Sequence, residues 1–71
     1  MKEYVENSVS EIRRIKKITQ EKLAVSVGVT RQTIIAIEKG NYAPSVLLAL
    51  KISKFFKKKV EEIFELKSEH N

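Results

Sequence analysis

The sequence contains no cysteine and no tryptophan, and only one histidine, one proline and two glycines among 71 residues. Without cysteine there is no disulfide framework and no thiolate metal site, and nothing points to a secreted compartment. The single histidine, His70, stands one residue from the end, so neither a histidine-based metal site nor a Ser-His catalytic arrangement has anything to build on. Apolar runs are a few residues long, far short of the roughly 20 needed to cross a bilayer. The start, Met1-Lys2-Glu3-Tyr4-Val5-Glu6, is charged and lacks the apolar core of a signal peptide. So few glycines and prolines leave little scope for a turn-rich β fold. The expectation is a soluble, cytoplasmic protein with no membrane association, no metal and no cofactor. At 8.2 kDa it reads as a single domain over residues 1–71, with a core at 8–64 and terminal extensions at 1–7 and 65–71. No pocket-forming second domain or activated nucleophile is visible, so it does not read as an enzyme.

Charge is abundant. Fourteen Lys and Arg against nine Asp and Glu give a net charge of +5. A basic excess of that size on a small domain points to a polyanionic partner, usually nucleic acid, or to no more than a basic surface. The run Lys57-Lys58-Lys59 reads as a solvated turn.

Apolar residues recur at three- and four-residue intervals, the helical period. Ser8 to Lys17 places Val9, Ile12, Arg13 and Lys16 on one stripe, with Ile15 beside it. Thr19 suits the cap of a helix from Gln20 to Val27, with Glu21 at the positive end of its dipole and Gly28 as its stop. Thr30 caps a third helix over 31–39, ended by Gly40. Asn41 to Pro44 is a loop, and Ser45 caps a longer helix from Val46 to Phe56 or Lys57. A short last helix spans Val60 to Phe64, and residues 67–71 read as a frayed tail. Lys2 to Glu6 and Glu65 to Lys67 alternate charged and apolar residues, as a short strand does. They can pair, although a lone two-stranded ribbon is marginal in water.

The unit from Thr19 to Gly40 is helix, glycine turn, helix: the helix-turn-helix arrangement, whose second helix can enter the DNA major groove. Ile34 and Ile37 project together toward a core with Leu23, Ala24, Val27 and Val29. Gln32, Ile35, Ala36 and Lys39 fall on the opposite arc, with Arg31 at its edge. That outward face suits base reading. Arg bonds guanine O6 and N7, Gln bonds adenine N6 and N7, and Ile35 and Ala36 meet thymine methyls. Gln20, at the start of a helix, suits a phosphate, as do Lys39, Asn41 and Tyr42 beyond the recognition helix and the hydroxyls of Thr30 and Thr33. Structural roles remain open for several of these: capping for the two threonines, packing on Pro44 for Tyr42, and cover by a neighbouring chain for Ile35. Arg13 and Glu38 both lie beside apolar stripes and are expected to form a structural ion pair, since either alone is costly when partly buried.

The strings Ile18-Thr19-Gln20-Glu21-Lys22-Leu23-Ala24, Val27 to Ile34, and Ile37-Glu38-Lys39-Gly40 resemble the phage repressor and Cro type of helix-turn-helix. Within it they look most like the small regulators of the xenobiotic-response-element type. Pro44-Ser45-Val46, Ala49 to Ile52 and Val60 to Phe64 continue the likeness, which covers about residues 8 to 64. It implies an all-α, five-helix repressor/Cro-like domain that binds operator DNA as a dimer. By the same resemblance the phosphate-contacting glutamine falls on Gln20, the base-reading positions on Arg31 and Gln32 with Thr33 and Ala36 close by, and the buried arginine and glutamate on Arg13 and Glu38. The family often has glycine where Lys17 and Lys57 stand, and a hydroxyl cap where Lys59 stands, so those turns are expected to differ locally.

The fourth helix is apolar almost all round, more than one buried stripe requires. It is either buried within its own domain or part of a two-fold interface. The interface reading takes Leu47, Phe55, Ile63, Phe64 and Leu66, and sets two recognition helices about 34 Å apart on a palindromic site. A repressor function fits this, and a protein partner, a toxin or co-regulator, is the alternative use of the same surface.

Overall fold

The computed structural model describes residues 2–69; His70 and the end of the expected frayed tail lie outside the described residues. The chain runs β1 (Lys2–Asn7), α1 (Val9–Ile15), α2 (Gln20–Val27), α3 (Arg31–Glu38), α4 (Val46–Phe56), α5 (Val60–Ile63) and β2 (Phe64–Glu69). Three of the helices start where a hydroxyl accepts a free backbone N–H of the first turn. Thr19 takes that of Lys22, Thr30 that of Thr33, and Ser45 that of Leu48. The cap of α5 is different. Lys59 has no hydroxyl to offer, and the carboxylate of Glu62 instead accepts the Lys59 backbone N–H at 2.7 Å.

A left-handed residue follows the end of each of the helices α1 to α4. Gly28 and Gly40 sit at φ +77° and +80°, where a side chain is strained. Lys17 and Lys57 adopt the same conformation at φ +57°. The expectation that these two lysine turns depart from the glycine geometry is therefore corrected. Lysine accepts the left-handed cap, at a cost of about 1 kcal/mol relative to glycine. The Ile18 and Lys58 N–H groups close the two turns onto the Arg13 and Ser53 carbonyls. Helix α1 consequently ends at Ile15, two residues earlier than its periodicity suggests.

The five expected helices are present, and the two alternating end segments do pair, so the fold is helical with a terminal ribbon and not purely α. The termini form a two-stranded antiparallel sheet in which Val5 faces Leu66 and Asn7 faces Phe64. Strand β2 begins at Phe64, which is already extended and not the end of α5, and it continues through Lys67 to Glu69, where a frayed tail was expected. The ribbon is anchored at its base. The Ser8 N–H donates to the Ile63 carbonyl (2.9 Å), and Phe64 packs against the core. Asn7 holds it a second time: its Oδ1 accepts the Val9 N–H (3.1 Å) and its Nδ2 donates to the Ile37 carbonyl (2.8 Å).

One continuous core joins all five helices: Val9 and Ile12; Leu23, Ala24 and Val27; Ile34 and Ile37; Leu48, Ile52 and Phe56; and Ile63. Ile63, assigned from the sequence to a subunit interface, is only 2% exposed within its own chain. A side chain enclosed on that scale has no surface to offer a partner, so it leaves the interface set. Helix α4 divides in two: Leu48, Ile52 and Phe56 point inward, whereas Val46, Leu47 and Leu50 are exposed. No helix among the described residues is long and apolar enough to cross a membrane.

Candidate nucleic-acid interface

Helix α3 is held from beneath. Ile34 and Ile37 are buried, and the Val29 N–H bonds the Ala24 carbonyl to close the turn from α2. Anchoring on that side turns the remaining arc outward. Arg31, Gln32 and Lys39 are exposed; Thr33, Ile35 and Ala36 are half-buried and form a shallow floor between them. Two hydrogen-bonding forks thus stand at the first turn of α3, with apolar surface behind and a cation at the far end.

The forks are not equivalent. Gln32 is exposed and no hydrogen bond of its side chain is seen among the described residues. Arg31 is engaged: its Nε donates to Gln20 Oε1 at 3.3 Å. Gln20 in turn donates through Nε2 to Glu38 Oε1 (3.0 Å), and Glu38 is clasped by Arg13, with Nε to Oε2 at 2.8 Å and Nη2 to Oε1 at 3.2 Å. Arg13 Nη1 adds a bond to the Ile18 carbonyl (3.0 Å). A single string of bonds, Arg13–Glu38–Gln20–Arg31, therefore ties α1, α3 and the start of α2 together behind the exposed face.

Burial of the Glu38 carboxyl disfavours its charge. The hydrogen bonds from Arg13 and Gln20 and the nearby charges of Arg13 and Arg14 outweigh that effect, holding the group below the ordinary carboxylate range. It is ionised at neutral pH, as a bidentate clasp requires.

The other residues picked out by sequence sit at the edges. The Thr30 hydroxyl accepts the Thr33 N–H (3.3 Å) and lies 3.3 Å from the Thr33 hydroxyl, so both serve the cap while remaining at the rim of α3. The Asn41 backbone N–H bonds the Ala36 carbonyl, which leaves its exposed side chain beyond the end of α3. Tyr42 is exposed and lines a groove of about 300 Å3 with Val5, Pro44 and Phe64. Of the residues assigned to an interface, Leu47 and Leu66 are 64% and 66% exposed, while Phe55 and Phe64 are half-buried against the core. Sequence reasoning missed Asn7, whose amide bridges the ribbon to the end of α3. An asparagine just ahead of a helical stripe was the available signal. No cluster able to hold a metal ion occurs among the described residues.

Residues 9–63 match the helix-turn-helix family profile. The chain belongs to the helix-turn-helix family. As a member it is a DNA-binding regulator of transcription and not an enzyme. It is 54% identical over 66 residues to YgzD of Bacillus subtilis (strain 168), an uncharacterised HTH-type transcriptional regulator, covering 93% of this chain and 100% of that one. A second such regulator, from Methanocaldococcus jannaschii, is 55% identical over 60 residues, 84% of this chain and 91% of its own. Among solved structures, the restriction-modification controller protein C.AhdI from Aeromonas hydrophila superposes with a TM-score of 0.71 at 28% identity, over 76% of this chain and 82% of that one. The helix-turn-helix match excludes the ribbon, which lies outside residues 9–63.

Proposed function

We propose that this helix-turn-helix protein is a sequence-specific cytoplasmic repressor that binds a palindromic operator as a homodimer, with α3 in the major groove. The observation that carries it is the face of α3 opposite Ile34 and Ile37, where Arg31 and Gln32 stand forward of a half-buried Ile35–Ala36 floor. Arg31 and Gln32 read base edges bidentately, and Ile35 and Ala36 meet thymine methyls. Gln20, Thr30, Thr33, Lys39, Asn41 and Tyr42 hold the flanking phosphates and set register. Arg13 and Glu38 keep to the interior and fix Gln20, which braces Arg31 in the free protein.

Dimerisation uses the apolar surface left uncovered by the fold. Leu47 and Leu66 supply its exposed part, and Phe55 and Phe64 its half-buried part. Two-fold pairing places the recognition helices about one DNA turn apart, which makes half-site spacing a geometric outcome. Selection of bound sites from a random duplex pool tests the whole reading. A palindrome with half-sites about 34 Å apart is expected; an unstructured or absent consensus rejects it. A second use of the same α4 surface, Val46, Leu47 and Leu50, is to hold a protein partner such as a toxin or co-regulator. A stoichiometric partner in place of the second copy, seen by light scattering on the native complex, distinguishes this use.

A further inference from the structure

Helix α1 and the C-terminal half of α3 enclose an open groove of about 520 Å3, lined in part by Ser10, Arg14, Gln20, Ile35 and Lys39. It shares Gln20 and Ile35 with the proposed DNA face and extends that face sideways onto α1. Arg13 and Glu38 also border it, but they neutralise each other. Arg14 is different. Its Nη2 donates to Ser10 Oγ at 2.6 Å, one turn earlier on the same helix, which braces the guanidinium while leaving its other N–H groups unused among the described residues. Neither Arg14 nor Lys39 has a carboxylate partner among the described residues, and both are exposed. A braced planar fork and an ammonium along one groove, beside an amide, match the demands of a phosphodiester. Among the described residues, Glu11 is the one carboxylate at the rim with no ion-pair partner.

We infer that Arg14, oriented by Ser10 and working with Lys39, is a DNA phosphate contact that carries the protein's footprint from α3 onto α1. The inference rests on the regulator reading above and adds to it a contact that involves no base. Its consequence is a sequence-independent, salt-sensitive share of affinity that Arg14 supplies and that replacing Arg14 alone removes.

The test is fluorescence anisotropy with the full chain, titrated onto the selected operator duplex and onto an unrelated duplex of equal length, from about 50 to 200 mM salt. Arg14→Gln is expected to weaken both in like proportion and to make the log–log salt slope less negative by about 0.9. The wild-type advantage then narrows about 3.5-fold across that fourfold salt range, the value that slope difference dictates. Arg14→Lys keeps the charge and restores the slope, and Glu11→Gln tightens binding to both duplexes. Lys58→Gln, on the turn between α4 and α5, measures the general effect of losing one cation. An Arg14→Gln slope equal to that of wild type or Lys58→Gln overturns the inference while leaving the regulator reading intact. No DNA affinity in the wild-type protein overturns both.

Discussion

Replacing Glu38 with Gln leaves the Arg13 guanidinium facing a neutral amide in a site where the two side chains are 14% and 7% exposed. Three bonds to the carboxylate are affected, two from Arg13 and one from Gln20. An amide accepts through one oxygen only and turns an N–H2 group toward donors. Breaking a buried pair by removing one partner costs about 3–5 kcal/mol, and the residual exposure here places the expectation near the lower end, about 3 kcal/mol. For a 71-residue domain that corresponds to a fall in Tm of about 12–24 °C. Thermal unfolding followed by far-ultraviolet circular dichroism reads it directly. The Arg13→Met/Glu38→Met double variant is expected to recover much of the loss, because no unpaired charge remains buried, giving a coupling energy of about 2 kcal/mol or more. Acid provides an internal check. The folded-state carboxyl lies below its ordinary value, so its contribution is complete above about pH 4.3, the unfolded value, and fades as pH falls through the folded one. The gap between wild type and Glu38→Gln therefore narrows below about pH 4. A Glu38→Gln protein within about 0.5 kcal/mol of wild type at neutral pH, or a double variant no better than the sum of the singles, refutes the reasoning.

Gln32→Ala is expected to relax preference at one base pair by about 1–3 kcal/mol while leaving unrelated DNA bound as before, measured by competition among single-substitution duplexes. Lys57→Gly, at φ +57°, is expected to raise stability by about 1 kcal/mol in urea titration, whereas Lys57→Ala brings no comparable gain. Leu66→Asp is expected to shift the protein to monomer in light scattering with its helical signal intact. Ile63→Ala instead destabilises the protomer by about 2–5 kcal/mol, since its side chain belongs to the core.

The helices were legible because their determinants are local. Thr19, Thr30 and Ser45 cap, Gly28 and Gly40 stop, and the interval between apolar residues tells which side of each helix sinks. The orientation of α3 followed from the same pattern, since burying Ile34 and Ile37 leaves Gln32 and Lys39 no other place than outside. The Arg13–Glu38 contact was legible too: two opposite charges beside apolar stripes have few stable alternatives to each other.

What lay beyond the chain's local signals are the relations between distant segments. Six residues at one end pair with six at the other only because five helices bring residue 8 and residue 63 within hydrogen-bond distance. Alternation in two short strands specifies a shape and not a partner. Likewise Ile63 and Leu66 look alike in sequence; one fills the core and the other faces out because α5 ends between them and the strand begins. The bond from Arg31 to Gln20 and the brace from Arg14 to Ser10 arise from where backbone packing sets each long side chain. Composition and periodicity thus determined the helices and their inward sides, while only tertiary packing decided the ribbon and which cations stay free.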